Sequence, residues 1–190
     1  FLVELRALAE QDAPTEPGSA PGPDLSWVLP KSPQNRPTPG GVKPRPYVLF
    51  VPGGSAHRLD KRWPAERYGQ LGKILAERGY DIVVIGGLQE SALARQIQRE
   101  VGQARDLTGR TDFAKIAVLG AKAALVVGND TGPLHLAAAT GSPTVVLFSS
   151  ASDPELAAPR GHVTVLRSGN LGDLSVAEVL QAANALLPPV

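Results

Sequence analysis

Short apolar runs rich in β-branched residues alternate with longer runs of helical spacing from residue 47 onward. Continuous apolar runs of this kind are typical of buried parallel strands, and the intervening runs repeat apolar residues on one helical face. The pattern predicts strands at 47–51, 81–85, 105–107, 124–127, 144–148 and 163–166. It predicts helices at 65–78, 90–101, 112–121, 134–140 and 176–187.

Strands that alternate with helices form a parallel sheet with right-handed crossovers. The predicted fold class is therefore α/β, a Rossmann-like parallel sheet with helices on both faces. Ligands of such sheets bind beyond the carboxyl ends of the strands. Polar or glycine-containing turns follow four of the predicted strands, at 52–55, 86–87, 128–131 and 149–150.

The first 46 residues differ from the rest of the chain. Residues 1–10 repeat leucine on one stripe and predict a short amphipathic helix, whereas residues 14–46 are crowded with proline and glycine and predict a linker. No methionine occurs, at position 1 or elsewhere. We therefore expect the chain to be a fragment of a longer protein.

Composition excludes several classes of protein. A net charge of +1, from 19 basic and 18 acidic residues, gives no global field toward nucleic acid or a membrane surface, so any anion site is local. The lack of cysteine excludes disulfides, thiolate metal sites and cysteine nucleophiles. Neither a membrane-spanning run nor a signal peptide is evident. We expect a cytoplasmic protein.

The turn GNDTGPLH at 128–135 follows an apolar strand and opens a helix. Asp130 or Thr131 can cap the helix, Gly132 allows close approach of a ligand, and Pro133 suits the first turn. An open helix N-terminus attracts anions, so phosphate or diphosphate is the first ligand class to consider, with His135 one turn beyond Thr131. The alternative is an ordinary capped crossover helix.

Two further turns carry candidate ligand groups. The loop after the first strand, PGGSAHRLDKRWP at 52–64, places Lys61 where its ammonium could meet a phosphate held at Thr131. Alternatively this is a solvated basic loop. Glu90, after the glycine pair at 86–87, could accept hydrogen bonds from sugar hydroxyls, or could complement the positive end of its own helix.

Other chemistries lack their sequence signatures. Neither GxGxxG after the first strand nor GxxxxGK[ST] occurs, which argues against a nicotinamide oxidoreductase and a P-loop NTPase. The three histidines are scattered, so no metal site is predicted, and no GxSxG elbow supports a hydrolytic triad. We predict no cofactor and no bound metal.

Four motifs together resemble the carboxyl-terminal half of glycosyltransferase family 9, the ADP-heptose:lipopolysaccharide heptosyltransferases. They are VPGGS at 51–55, KRWPAERY at 61–68, DLTGRT at 106–111 and VGNDTGPLHLAAA at 127–139. They occur in the family's order, and the likeness spans about residues 47–160. The resemblance implies one of the two facing Rossmann-like domains of a GT-B glycosyltransferase.

The resemblance also implies roles for individual residues. Lys61 and the turn of Asp130, Thr131 and Gly132 would hold the diphosphate of an ADP-sugar, with support from His135. Glu90 would correspond to the acid that meets the adenosine ribose. Ala56 and His57 stand where some family members carry hydroxyl residues near the phosphates, a departure for which Ser55 could substitute. These expectations make Ser55 and His57 candidate diphosphate ligands as well.

In the family, the sugar is transferred with inversion of configuration. An acidic residue of the amino-terminal domain activates the acceptor hydroxyl. The resemblance implies that residues 1–12 end that missing domain, 13–46 link it, and 47–190 bind an ADP-heptose donor, with a lipopolysaccharide core acceptor. The catalytic base then has no position here, and the fragment alone should be inactive. Any peripheral association with the inner membrane would be made by the missing half. An epimerase-like GT-B enzyme or a non-catalytic nucleotide-binding module remain alternatives.

Overall fold

The computed structural model describes residues 45–54, 61–150 and 152–187. The expected helix at 1–10 and linker at 14–46, apart from residues 45 and 46, lie outside the described residues, as do Ser55 and His57. None of the helices in the described ranges is long and apolar enough to cross a membrane.

A parallel sheet of six strands forms the centre of the domain. The strands are β1 (Tyr47–Val51), β2 (Asp81–Val84), β3 (Arg105–Asp106), β4 (Leu125–Asn129), β5 (Thr144–Ser149) and β6 (Val163–Ser168). They lie in the order β3-β2-β1-β4-β5-β6. Every neighbouring pair is parallel, as predicted for buried apolar runs joined by helices.

The helices are α1 (Ala65–Glu77), α2 (Ser91–Val101), α3 (Phe113–Lys122), α4 (Gly132–Ala138), α5 (Pro154–Ala157) and α6 (Val176–Leu186). Two short 3₁₀ turns, at Leu88–Glu90 and Leu171–Asp173, precede α2 and α6. The sequence pattern missed α5, because four residues are too few to establish a helical period.

Alternate strand residues point to opposite faces and build two apolar layers. In β1, Val48 and Phe50 pack into a layer that contains residues of α1, α2 and α6. Leu49 and Val51 pack into the other layer, which contains residues of α3 and α4. The sheet is therefore covered on both faces, which confirms the predicted α/β class.

The strand order reverses direction at β1. The chain passes from β1 outward through β2 and β3, then returns to β4 on the other side of β1 and continues through β5 and β6. Such a switch point opens a crevice beyond the carboxyl ends of the strands, where ligands of α/β sheets bind. The loops that follow β1, β2 and β4 meet at this crevice.

Candidate functional site

A cleft with a volume of about 520 Å³ opens at the switch point. Its lining comes from the loops after β1, β2, β3 and β4 and from the start of α3. The lining residues are Val51, Gly53, Gly54, Gly86, Gly87, Gln89, Glu90, Gly109, Thr111, Asp112, Phe113, Ile116, Thr131 and Pro133. Volume and position match those of small-molecule sites in proteins of this class.

Glu90 lies under the glycine turns of β1 and β2. It is only 6% exposed, and its Oε2 accepts a hydrogen bond from the Gly87 N–H at 2.6 Å. A Cβ added to Gly86 or Gly53 would come within 3.0 or 3.3 Å of the Glu90 side chain. Glu90 thus completes the start of its own 3₁₀ turn and also lines the cleft, so the two interpretations offered by the sequence are compatible.

Thr131 occupies the N-cap position of α4 and lines the cleft. The cap predicted from the sequence is not formed, since no side-chain hydrogen bond closes this helix start. The Thr131 Oγ1 is buried and has no hydrogen-bond partner among the described residues. A buried hydroxyl without a partner costs free energy, so a bound polar group at this place would be favoured.

Asp130 and His135 contact each other across the first turn of α4. The His135 Nε2 lies 2.8 Å from the Asp130 Oδ1, and both side chains are partly buried. Asp130 precedes the N-cap residue Thr131, and its carboxylate pairs with His135. Neither residue is among the described residues that line the cleft, whereas the space in front of Gly132 is open, since an added Cβ would meet nothing within 4 Å.

Lys61 starts the described chain again after the gap at 55–60. Its Nζ lies 3.4 Å from the Ser152 Oγ, in the segment that follows β5. Lys61 is not among the described residues that line the cleft. The roles predicted for Lys61, Ser55 and His57 therefore stay predictions, and those of the other site residues do as well.

Asn129, the last residue of β4, has a structural role that was not predicted from the sequence. It is 1% exposed, and its side-chain amide makes four hydrogen bonds. Buried amide groups are normally hydrogen-bonded. The position of an asparagine at the end of an apolar strand was therefore the one signal in the sequence for a buried, hydrogen-bonded side chain. Beside it, burial raises the pKa of Tyr68 well above the usual value for tyrosine.

Within the described ranges, no three His, Asp or Glu side chains form a group that could hold a metal ion. That the protein works without a metal stays a prediction. The acidic side chains around the cleft instead bind nearby N–H groups. Asp112 accepts from the Lys115 N–H at the start of α3, and Glu90 accepts from the Gly87 N–H before α2.

Comparison with known proteins gives a consistent result. The model of glycosyltransferase family 9 (heptosyltransferase) matches residues 5–179. Lipopolysaccharide heptosyltransferase 2 of Escherichia coli K12 is 32% identical over 123 residues, which are 62% of this chain and 35% of that protein. The chain thus spans about a third of the length of this curated relative.

Solved structures show the same likeness. The structure of E. coli ADP-heptose LPS heptosyltransferase II superimposes with a TM-score of 0.67 at 29% identity, over 75% of this chain and 46% of that chain. E. coli heptosyltransferase WaaC with ADP superimposes with a TM-score of 0.67 at 28% identity, over 74% of this chain and 44% of that chain. These likenesses confirm the predicted Rossmann-like domain of the GT-B arrangement.

Proposed function

Because the chain belongs to glycosyltransferase family 9, we propose that it is the donor-binding domain of a heptosyltransferase, which takes ADP-heptose as donor and a lipopolysaccharide core sugar as acceptor. The observation that carries the proposal is the cleft at the switch point of the sheet, where glycine turns and the unpartnered Thr131 hydroxyl face one space.

The walls of the cleft suit a nucleotide diphosphate. Gly53, Gly54, Gly86 and Gly87 all line it, and residues without a Cβ let backbone amides approach a ligand closely. Thr131 offers a hydroxyl that lacks a hydrogen-bond partner among the described residues, at a helix end whose first amides have no intrahelical acceptors. The proposed diphosphate therefore lies between the β1 loop and the start of α4.

Basic and polar residues around this point have proposed supporting roles. Lys61 turns from Ser152 to the diphosphate when donor binds, because the contact at 3.4 Å is long for a hydrogen bond and is easily exchanged. Asp130 orients His135 through their contact at 2.8 Å. Gly132 leaves room for the phosphates, and Ser55 and His57 are proposed to complete the loop side of the site.

Glu90 is the proposed ribose ligand. Its Oε2 is held by the Gly87 N–H, which fixes the carboxylate at the β2 side of the cleft. A carboxylate in a nearly buried position accepts hydrogen bonds from sugar hydroxyls strongly. In this arrangement the nucleoside lies toward β2 and the phosphates lie toward Thr131.

The catalytic base is proposed to come from a facing domain. Among the described residues that line the cleft, the carboxylates are Glu90 and Asp112, and each already accepts an N–H from its own helix start. A general base must reach the proton of the attacking hydroxyl directly. Transfer with inversion then needs a carboxylate outside these residues as its general base. This domain stabilises the negative charge that develops on the leaving diphosphate.

Calorimetry and product analysis test the proposal on the protein as its gene encodes it. ADP and ADP-heptose should bind at one site per chain, and heptose should pass to a lipopolysaccharide core acceptor. A sugar product formed without acceptor would identify an epimerase instead. Binding of ADP with no turnover of ADP-heptose would favour a nucleotide-binding module. Absence of binding for both ligands would contradict the proposal.

A further inference from the structure

Asn129 connects three segments of the chain through one side chain. Its Oδ1 accepts hydrogen bonds from the Trp63 backbone N–H at 3.1 Å and the Tyr68 hydroxyl at 3.2 Å. Its Nδ2 donates to the carbonyl oxygens of Pro52 at 2.9 Å and Gly53 at 3.0 Å. The amide thus holds the start of α1 on one side and the loop after β1 on the other.

The two carbonyl contacts define the direction of the loop. In an extended strand successive carbonyls point to opposite sides, whereas here those of Pro52 and Gly53 converge on one nitrogen. In a planar trans peptide the N–H points away from the carbonyl. The N–H groups of Gly53 and Gly54 therefore both point away from Asn129. Neither donates to an acceptor in the described part of the chain.

Successive N–H groups on the same side of a turn form a concave site for anions. Gly53 and Gly54 both line the cleft, and Thr131, with its unpartnered buried hydroxyl, lines it too. The guanidinium of Arg62 donates to the next carbonyl, that of Gly54. Glu90 bounds the Gly53 turn on the β2 side, which leaves the Thr131 side for negative charge.

We propose that the Gly53 and Gly54 N–H groups, with the Thr131 hydroxyl, form an anion subsite for a phosphate group of the donor, and that Asn129 is the positioning residue that orients it. The subsite rests on the proposed function for the identity of its ligand. Asn129 acts without touching the ligand, since its four hydrogen bonds all go to protein groups.

A matched pair of variants separates this role from a purely structural one. Asn129→Asp keeps the acceptor for Trp63 and Tyr68 but replaces the Nδ2 donor by a carboxylate oxygen, which repels the two loop carbonyls. Tyr68→Phe removes one hydrogen bond from the opposite side of the same amide and leaves the loop contacts in place. Each protein is titrated with ADP, with adenosine and with inorganic pyrophosphate.

The subsite predicts different results for the two variants. Asn129→Asp should weaken ADP and pyrophosphate binding by about tenfold or more with adenosine binding unchanged, whereas Tyr68→Phe should leave all three within about twofold of the wild type. Acidification should restore part of the loss, because a protonated carboxyl can donate to a loop carbonyl again. Equal ADP affinity in Asn129→Asp and wild type, or equal losses for ADP and adenosine, would overturn the subsite.

Amide NMR of the wild-type protein tests the same inference and does not depend on whether a variant folds. The Gly53 and Gly54 amide protons should move downfield on addition of ADP or pyrophosphate. If ADP binds and these two signals stay in place, the subsite is wrong and the proposed function stands. If ADP fails to bind while pyrophosphate moves both signals, the proposed function is wrong and the subsite stands.

Discussion

The Glu90 carboxylate and the Gly87 N–H are joined at 2.6 Å, so the acid that lines the cleft is fixed by the turn that immediately precedes it. Among the described residues, no donor binds its second oxygen. The same side chain limits the space above Gly53 and Gly86, where an added Cβ would approach it within 3.3 and 3.0 Å. The glycines at these turns therefore leave room for this carboxylate.

Replacing Glu90 by glutamine tests the charge without removing the turn. Glu90→Gln keeps an oxygen that accepts the Gly87 N–H, so the fold should persist, but a neutral amide binds ribose hydroxyls less strongly. Calorimetry should show ADP affinity lowered by about tenfold. Glu178→Gln is the matched control, because Glu178 accepts the Ser175 N–H at the start of α6 in the same way. Equal effects of the two changes on ADP affinity would contradict the ribose role.

Lys61 provides a test of charge at the diphosphate. Lys61→Ala should weaken ADP by about tenfold or more and leave adenosine unaffected, since an ammonium contributes mainly through the phosphate charge. Raising the salt concentration should reduce the difference between variant and wild type. Ser152→Ala removes only the group that Lys61 contacts at 3.4 Å and should retain wild-type affinity. Unchanged ADP binding in Lys61→Ala would rule out its proposed role.

Gly120 of α3 lies directly against the backbone of α4. A Cβ at Gly120 would lie 2.8 Å from the Ala137 Cα and 2.9 Å from its carbonyl oxygen, which are backbone atoms that cannot move aside. Gly120→Ala should therefore cost about 1–3 kcal/mol of unfolding free energy. Gly169→Ala is the control, because an added Cβ there meets nothing within 4 Å. Urea denaturation that shows equal stability for both variants would contradict this packing.

Tyr47 predicts a loss of stability at high pH. Burial raises its pKa from 10.0 to about 12. Because the unfolded chain then loses the proton first, the contribution of Tyr47 is fully present below pH 10 and is lost as the pH rises toward 12. Tyr47→Phe should flatten the fall of unfolding free energy over this range, although Tyr68, whose pKa burial also raises, retains part of it.

The same substitution has a cost at neutral pH. The Tyr47 hydroxyl donates to the Leu119 carbonyl at 2.6 Å, so Tyr47→Phe should lose about 1 kcal/mol of unfolding free energy at pH 7. Chemical denaturation at intervals from pH 7 to pH 12 measures both effects. An unaltered slope between pH 10 and 12 in the variant would show that Tyr47 titrates alike in both states.

The strands and long helices could be predicted from the sequence because the spacing of apolar residues within each element is a local property of the chain. The predicted strand at 47–51 matches β1, and the predicted helix at 176–187 ends one residue beyond α6. The predicted helix at 90–101 begins one residue before α2, because it includes Glu90, the last residue of the preceding 3₁₀ turn. The family resemblance, carried by four motifs, was confirmed.

Side-chain partners could not be derived in the same way. Asn129 binds residues that lie 61 to 77 positions away, and only the assembled sheet brings them together. His135 was expected at a phosphate, but its nearest polar partner is Asp130, in the same turn. Lys61 was expected to meet a phosphate held at Thr131, and its ammonium lies 3.4 Å from the Ser152 Oγ. The partner of each side chain depends on its rotamer and on any bound ligand. Neither of these produces a periodic pattern in the sequence.

A structure of the protein with ADP bound tests the central claim most directly. We expect the diphosphate between the Gly53–Gly54 turn and Thr131, with a phosphate oxygen within hydrogen-bond distance of Thr131 Oγ1 and the ribose beside Glu90. Saturating ADP bound at any other surface, with the cleft at the ends of β1, β2 and β4 empty, would contradict it.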